Sequence, residues 1–262
     1  MPKKKSTPKK KNKRQTPTRI HNVDKGHLCL PAKELPTEPV FANLDMEGKD
    51  WRESHHWRIF RIMSEFVNAF QFLADFKQTV TIFGSARLKP TSKWYKEARK
   101  LGGLLAKENY SVITGGGPGI MEAGNRGAYE KNGESIGINI KLPHEQRTNK
   151  YVKKSEAFHY FFSRKVALAF SAQAYVYFPG GFGTLDEFFE LLTLVQTRKI
   201  IAKVPLILVG KTFWQHIDVF AKNVLLDEYH TIDPEDRKYY DIVDSAEEAM
   251  AIIRKTKPRK EF

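Results

Sequence analysis

The chain has 262 residues, of which 41% are hydrophobic and 12% aromatic, which is enough for a sizeable core and excludes a wholly disordered or fibrous protein. The formal charge is +14, but the first 19 residues carry +9 and the last nine carry +4, so the remainder is close to neutral. Composition therefore indicates no basic nucleic-acid surface on the folded part. We expect residues 1–19 to be a disordered basic tail, either solvated or in weak contact with a polyanion, and residues 256–262 to be a second basic tail.

Three features of the sequence point to a cytoplasmic location. The N-terminal tail has no apolar stretch and so lacks the hydrophobic region of a secretory signal. The longest apolar run, Val166 to Phe178, is too short for a bilayer, which takes ~20 residues. Cys29 is the single cysteine, so an internal disulfide is impossible, as suits a reducing compartment. We expect a soluble cytoplasmic protein that does not enter a membrane.

Residues 20–50 contain prolines at 31, 36 and 39 and no sustained periodicity, which predicts an irregular arm. Apolar residues then recur at three- and four-residue intervals from Trp51 to about Lys77. This spacing predicts a long amphipathic helix that packs on the domain or on a neighbouring subunit.

From Thr79 onward, short apolar runs alternate with helical stretches. The predicted strands are TVTIF, YSVIT, SIGINI, AYVYF and VPLILVG, and the predicted helices cover 93–108, 119–131, 164–171, 184–197 and 212–225. The stretch between SIGINI and Ser163 is expected to be irregular. Apolar strands separated by helices indicate a parallel sheet covered on both faces. The sequence predicts an α/β fold, a Rossmann-like doubly wound sheet with an N-terminal helical extension, as one domain over residues 51–255.

In such a fold, ligands bind beyond the carboxyl ends of the strands, and three turns there have an unusual composition. They are Gly84-Ser85-Ala86-Arg87, Thr114-Gly115-Gly116-Gly117-Pro118-Gly119 and Pro179-Gly180-Gly181-Phe182-Gly183-Thr184. Glycine between a strand and a helix allows backbone N–H groups to close on a phosphate. Tight connections need glycine anyway, so either long turn alone is explained by local geometry. The pair together favours a phosphorylated ligand.

Several common sites are missing from the sequence. It has no P-loop motif, no dinucleotide-binding G-x-G-x-x-G after the first strand, no zinc spacing of His and Cys, and no serine nucleophile elbow. A mononucleotide or a sugar phosphate remains as the ligand, with no cofactor and no metal expected.

Charged residues beside the last glycine turn admit two interpretations each. Thr184 to Glu187 has the spacing of a helix capping box, yet a carboxylate beside a phosphate site could also assist cleavage of a sugar bond. Arg164 and Lys165 are expected to open the preceding helix, where the helix dipole disfavours cations. They are either solvated surface charges or contacts to an anionic ligand.

These residues resemble the signatures of a known family. GGGPGIMEAGNRGA (115–128), SRK (163–165) and PGGFGTLDE (179–187) are similar to the motifs of the Lonely Guy (LOG) family, long mislabelled as lysine decarboxylases, and the likeness extends from about Trp51 to Leu226. LOG proteins are Rossmann-like phosphoribohydrolases that cleave the N-glycosidic bond of cytokinin riboside 5′-monophosphates, and many bacterial members cleave AMP. The decarboxylase label would require a pyridoxal phosphate lysine, which the sequence does not reveal.

The resemblance implies roles for individual residues. Arg164 and Glu187 would be the catalytic pair. The implied substrate contacts are Gly84, Ser85, Gly115, Gly116, Gly117, Glu145, Lys165, Gly181, Phe182, Gly183, Thr184 and Thr193. The substrate would be a purine nucleoside 5′-monophosphate, with AMP or a cytokinin riboside monophosphate as candidates. The alternative is a non-catalytic nucleotide sensor or carrier that uses the same pocket.

The resemblance also concerns assembly. The long helix and the arm before it are similar to the larger bacterial members of the family, which form hexamers built from dimers. The aromatic residues of the helix, among them Trp57, Phe60 and Phe66, exceed what one face of a nearly complete domain needs. A homo-oligomer, a dimer or a hexamer, is therefore expected.

Overall fold

The computed structural model describes residues 23–24, 27–28, 55–141, 148–200 and 204–258. The described residues fall into two units. The first contains a small antiparallel pair, β1 (Val23–Asp24) and β2 (His27–Leu28). The predicted tail at 1–19, almost all of the predicted arm and residues 259–262 of the second tail lie outside the described residues, so those predictions stay open.

The second unit is built on a seven-stranded parallel sheet. Its strands are β3 (Thr79–Phe83), β4 (Ser111–Thr114), β5 (Ser135–Ile140), β6 (Lys154–Phe158), β7 (Ala174–Tyr177), β8 (Leu206–Val209) and β9 (Tyr240–Val243). Their order across the sheet is β6-β5-β4-β3-β7-β8-β9, and every pairing is parallel. All residues of β3, β4, β5, β7 and β8 are buried, which explains why these strands are mostly apolar and do not alternate with exposed polar residues.

In the described part of the chain, seven α-helices cover the two faces of this sheet. They are α1 (His55–Ala74), α2 (Lys93–Lys107), α3 (Ile120–Glu130), α4 (Phe161–Ala169), α5 (Phe182–Gln196), α6 (Lys211–Phe220) and α7 (Ala246–Ile253). One core cluster joins the sheet to α1, α4, α5 and α6, and the other joins it to α2, α3 and α7. The predicted doubly wound α/β fold is confirmed.

The sequence-based element boundaries were wrong in several places. Helix α1 ends at Ala74, three residues before the predicted end near Lys77, while its predicted start at Trp51 lies outside the described residues. Helix α4 begins at Phe161, three residues before Arg164. The stretch predicted to be irregular contains β6, an edge strand whose exposed KSEAF sequence lacks an apolar pattern. Strand β9 and helix α7 were also not predicted. Beyond α6 the chain continues as a π-helix over Ala221–Glu228.

The topological switch point of the sheet, where the strand order changes direction, lies between β3 and β7. From β3 the chain winds outward to β6 and then returns to β7 on the other side of β3. Backbone bonds hold the turns at this point together: Ser85 N–H donates to the Pro179 carbonyl (3.1 Å), and Ile120 N–H donates to the Ser85 carbonyl (3.0 Å). A crevice at such a switch point is where doubly wound sheets bind ligands.

Candidate active site

The turn from β7 into α5 forms the open side of the site. Gly181 is the N-cap of α5 and has no side chain to cap the helix. A Cβ placed on Gly181 or on Gly183 would meet no described atom within 4 Å, and Phe182 is 92% exposed. The first N–H groups of a helix have no acceptor within it and carry the positive end of its dipole. This turn can therefore accept an anion.

The capping-box interpretation of Thr184 and Glu187 is wrong. Because α5 begins at Phe182, Thr184 is the third helical residue, and its N–H donates to the Gly181 carbonyl (3.0 Å). The buried Thr184 side chain packs against Gly180, where an added Cβ would lie 2.1 Å from Thr184 Oγ1. Glu187 lies in the second turn of α5, too far into the helix to cap its N-terminus.

Glu187 is a largely buried carboxylic acid with a displaced pKa. Burial raises the pKa of Glu187 to about 7, the positive charge of Arg164 opposes this rise, and the negative charge of Glu190 adds to it. A carboxyl group with this pKa is partly ionised at neutral pH, so it can accept a proton there and release it again. A perturbed acid beside a crevice is a candidate for catalysis.

Arg164 is the cation that acts on Glu187. Its Nε–H donates to the Ile138 carbonyl at the carboxyl end of β5 (2.9 Å), and burial lowers its pKa. A Cβ on Gly115 would lie 2.5 Å from Arg164 Nη2 and 2.8 Å from the Met121 sulfur. Only glycine at position 115 leaves the guanidinium in this place.

The three glycines after β4 are buried by the protein itself. Gly116 has φ +73°, its N–H donates to Thr114 Oγ1 (2.9 Å), and its carbonyl accepts from the Asn149 N–H (2.8 Å). Asn149 Nδ2 also lies 3.0 Å from the Gly117 carbonyl oxygen. Gly115, Gly116 and Gly117 thus form a backing for Arg164. Their predicted contact with substrate stays a prediction.

Lys165 is bound to acids of α5. Its Nζ lies 2.8 Å from Asp186 Oδ2 and 3.3 Å from Glu190 Oε2. Although burial opposes the charge, these acids together with Glu187 raise the pKa of Lys165. The structure brings Lys165 to the predicted site, but its partners in this state are carboxylates.

The remaining predicted substrate contacts come from other parts of the chain than the Arg164 and Glu187 segments. Gly84 and Ser85 follow β3 at the switch point, and the Ser85 hydroxyl accepts the Arg87 N–H (3.1 Å). Thr193 lies six residues beyond Glu187, and its exposed hydroxyl donates to the Phe189 carbonyl (2.7 Å). The structure therefore does not bring Thr193 next to Glu187. Glu145 lies outside the described residues, and its role stays a prediction.

Two polar residues that support the site were missed at the sequence level. Asn149 clamps the glycine turn, and Asn139 on β5 packs its side-chain amide against Gly116, where an added Cβ would lie 2.4 Å from Asn139 Oδ1. Neither asparagine belongs to a motif with a recognisable spacing. Their contacts join segments that are distant in sequence, so no local signal marks them.

A basic groove lies on the described part of the chain, away from this centre. A groove of about 560 Å³ between α2 and α3 is lined by Pro90, Tyr95, Lys96, Arg99, Lys100, Gly103, Leu104, Lys107, Arg126, Gly127, Glu130 and Lys131. Its six cations and single acid show that a nearly neutral segment can still carry a basic surface. Arg99 and Arg126 both pair with Glu130 in this groove.

The described residues show neither a metal site nor a membrane span. No group of three or more His, Cys, Asp or Glu side chains there is arranged to hold a metal ion. None of the helices described combines the length and apolar character that crossing a membrane requires.

A doubly wound parallel sheet with an arginine and a perturbed glutamate near its switch point, beside an open helix N-terminus, defines a Rossmann-like protein with a candidate site for an anion. The match to a family model is more specific. The model described as "Possible lysine decarboxylase" matches residues 121–253, just over half of the chain, and includes Arg164 and Glu187. The chain belongs to this family, the LOG family named above.

Relatives with curated names share part of the chain. A pyrimidine/purine nucleotide 5′-monophosphate nucleosidase of Escherichia coli K12 is 30% identical over 176 residues, which are 63% of this chain and 38% of that protein. A cytokinin riboside 5′-monophosphate phosphoribohydrolase of Arabidopsis thaliana is 30% identical over 126 residues, 47% of this chain and 58% of that protein. The matched segments thus span less than two thirds of the length of these relatives.

Solved structures share the fold. The X-ray structure of TM1055, a structural-genomics target, has a TM-score of 0.51 and 28% identity and covers 68% of this chain and 98% of its own. A molybdenum cofactor binding protein from Rippkaea orientalis has a TM-score of 0.50 and 24% identity, with 68% and 96% covered. At that identity the second likeness concerns the fold alone.

Proposed function

We propose that this protein hydrolyses the N-glycosidic bond of a purine nucleoside 5′-monophosphate, releasing the free base and ribose 5-phosphate. The observation that carries the proposal is the partly buried Glu187, whose pKa burial raises to about 7 against the charge of Arg164, in the second turn of the helix that begins at the open turn. The activities in the names of the two relatives, a nucleotide 5′-monophosphate nucleosidase and a riboside 5′-monophosphate phosphoribohydrolase, support it.

In this proposal the phosphate of the substrate binds at the open turn. The N–H groups at the start of α5 and the absence of side chains at Gly181 and Gly183 suit a phosphate that approaches the backbone closely. Lys165 would then exchange at least one carboxylate partner for the phosphate. Binding energy from this remote group can orient the bond that reacts, so we expect AMP to be a far better substrate than adenosine.

The chemical step uses Glu187 as a carboxylate. As the C1′–N bond breaks, its electron pair leaves with the base and positive charge builds on the ribose, where a nearby carboxylate stabilises it. Glu187 can also take a proton from the water whose oxygen bonds to C1′. The released base gains a proton from solvent, which balances the reaction. Arg164 stays protonated and serves to orient Glu187 or the substrate.

The test is direct product analysis. The purified chain is incubated with AMP, with isopentenyladenosine monophosphate and with adenosine, and the products are separated by chromatography. We expect free base and ribose 5-phosphate from at least one monophosphate. Because adenosine lacks the phosphate, its kcat/KM should be lower than that of AMP by a factor on the order of 100 or more. Tight binding of AMP without turnover would support the nucleotide sensor or carrier instead. Equal kcat/KM for AMP and adenosine would contradict the role given to the open turn.

The proposal extends to assembly and location. Helix α1 buries Ala69 and Leu73 but exposes an apolar strip whose members are each more than half exposed. The strip consists of Ile59, Phe60, Met63 and Val67. Exposed apolar surface of this kind is typical of subunit contacts, so we propose a homo-oligomer, a dimer or a hexamer, in the cytoplasm. Light scattering at micromolar concentration should give at least twice the 30.2 kDa chain mass, and Phe60→Glu should lower it.

A further inference from the structure

A carboxylate from α1 lies at the start of α4. Glu65 Oε1 accepts the His159 N–H (2.6 Å), and Oε2 lies 3.4 Å from the Tyr160 N and in contact with the Ser163 hydroxyl. Tyr160 is the N-cap of α4, but its own side chain makes no capping bond. Glu65 therefore supplies, from more than 90 residues away, the carboxylate that a capping box would supply from within the helix.

This position is favourable for a negative charge. The N-terminus of α4 is the positive end of its dipole, and a carboxylate there stabilises the helix. Arg164 and Lys165 add two cations within the first turns of the same helix. Glu65 thus places a negative charge at the same end of the helix, bound to the backbone rather than to either cation.

The Glu65 contacts lie next to Arg164 in the chain. Ser163, which touches the carboxylate, immediately precedes Arg164, and the Arg164 N–H makes the first helical bond to the Tyr160 carbonyl (3.3 Å). The guanidinium has little freedom at its far end, where Nε–H binds the Ile138 carbonyl and Nη2 packs on Gly115. A shift in the start of α4 would therefore change the geometry of that contact directly.

We propose that Glu65 is a positioning residue for Arg164: by binding the backbone that enters α4, it places the guanidinium on Gly115 and beside Glu187. The inference rests on the proposed function for its kinetic consequence, but its structural content is independent of that function. It also gives α1 a role in the site, since the same helix carries Glu65 on one side and the apolar strip on another.

Helix α1 also contacts the other end of α4. There Phe70 packs edge-on against Phe170, with 6.4 Å between ring centroids.

The experiment compares Glu65→Ala and Glu65→Gln with Asn68→Ala, an exposed position on the same helix. The first readout is the Arg164 Nε–H signal in a ¹H–¹⁵N spectrum, assigned as the signal that Arg164→Lys removes. We expect this signal to shift or broaden in Glu65→Ala, to move less in Glu65→Gln, which keeps one acceptor oxygen, and to stay in place in Asn68→Ala. An unchanged signal in both Glu65 variants would overturn the proposal.

The second readout is the kinetics of AMP cleavage. Glu65→Ala should lower kcat about 10-fold with KM within about threefold, because misplacement of a catalytic group acts mainly on the transition state. In an Arg164→Lys background the same change should have little further effect, since the two residues act through one interaction. Equal losses in both backgrounds would show that Glu65 only stabilises the fold.

The outcomes separate the two proposals. If no monophosphate is cleaved, the proposed function fails, and the Nε–H signal alone decides the role of Glu65. If Glu65→Ala does not fold, Glu65→Gln keeps the side-chain volume and decides the question by the same signal. A lower melting temperature together with an unmoved Nε–H signal and an unchanged kcat would contradict the positioning role.

Discussion

The turn at Gly115–Gly117 and the turn at Gly181–Gly183 each follow a strand near the middle of one sheet, and each is rich in glycine. The first is closed by the protein: Asn149 binds its carbonyl groups, and Arg164 packs on Gly115. The second is open, since no described atom lies within 4 Å of a Cβ placed on Gly181 or Gly183. Glycine in one turn makes room for the protein's own arginine, and glycine in the other leaves room for a ligand.

The two turns therefore contribute different halves of one site. The closed turn fixes the cation, and the open turn begins the helix that carries Glu187. An orienting residue such as Arg164 needs rigid, buried neighbours, which the closed turn provides. An anion must reach the backbone N–H groups from solvent, which the open turn allows. Each of the following predictions tests one half against the other.

The largest effect is expected at the acid that the open turn leads to. Glu187→Gln keeps the size of the side chain but removes the carboxylate, so kcat for AMP should fall at least ~100-fold while AMP binding stays within a few-fold. Steady-state kinetics and calorimetric titration measure the two quantities. Glu228→Gln, at an exposed position, is the matched control. Near-normal turnover by a folded Glu187→Gln protein would remove the proposed mechanism.

The closed turn is tested by Gly115→Ala. The new methyl group would overlap Arg164 Nη2 and the Met121 sulfur, so the guanidinium must move. Since a displacement of about 1 Å in a catalytic group can reduce the rate 100-fold, we expect kcat to drop about 10- to 100-fold. The melting temperature should also decrease because the turn is fully packed. A variant with normal kcat would show that the contact between Gly115 and Arg164 does not matter for turnover.

The burial of Glu187 predicts a pH-dependent change in stability. Its pKa is raised in the folded state, so between its ordinary value and about 7 the folded protein holds the proton more tightly than the unfolded chain. The free energy of unfolding therefore decreases as pH rises through this range, by up to about 3 kcal/mol. Glu187→Gln should melt at a higher temperature than the parent at pH 8, and the difference should vanish near pH 4. A difference that is independent of pH would contradict the raised pKa.

The smallest effect is expected from adding a methyl group to the open turn. Gly183→Ala places a Cβ in free space at the second residue of α5, where alanine favours the helix by up to about 1 kcal/mol. Thermal unfolding should show a slight stabilisation, in contrast to Gly115→Ala. If phosphate approaches this backbone, KM for AMP should rise several-fold at the same time. An unchanged KM would move the phosphate site away from Gly183.

Elements whose signal lies in a short stretch of sequence could be predicted from the sequence alone. The inner strands of the sheet are mostly apolar because both of their faces are buried, so their existence and the α/β class followed from local pattern. The edge strand β6 was missed because its KSEAF sequence is mostly exposed and has no such pattern. The start of α5 was misplaced because Thr184 and Glu187 fit a capping box equally well when the conformation of Gly181 is unknown.

The sequence by itself determined the fold class and the two glycine turns, because strands and turns are set by residues close together in the chain, and its resemblance to the LOG motifs gave the candidate pair Arg164 and Glu187. Only the tertiary structure decided which turn is open, because closure of the first depends on Asn149 and Arg164, which lie over 30 residues away. It alone also decided that Glu187 is an acid with a pKa near 7 and that Glu65 serves the start of α4. Burial and the distance between charges are properties of packing, and neither can be obtained from spacing along the chain.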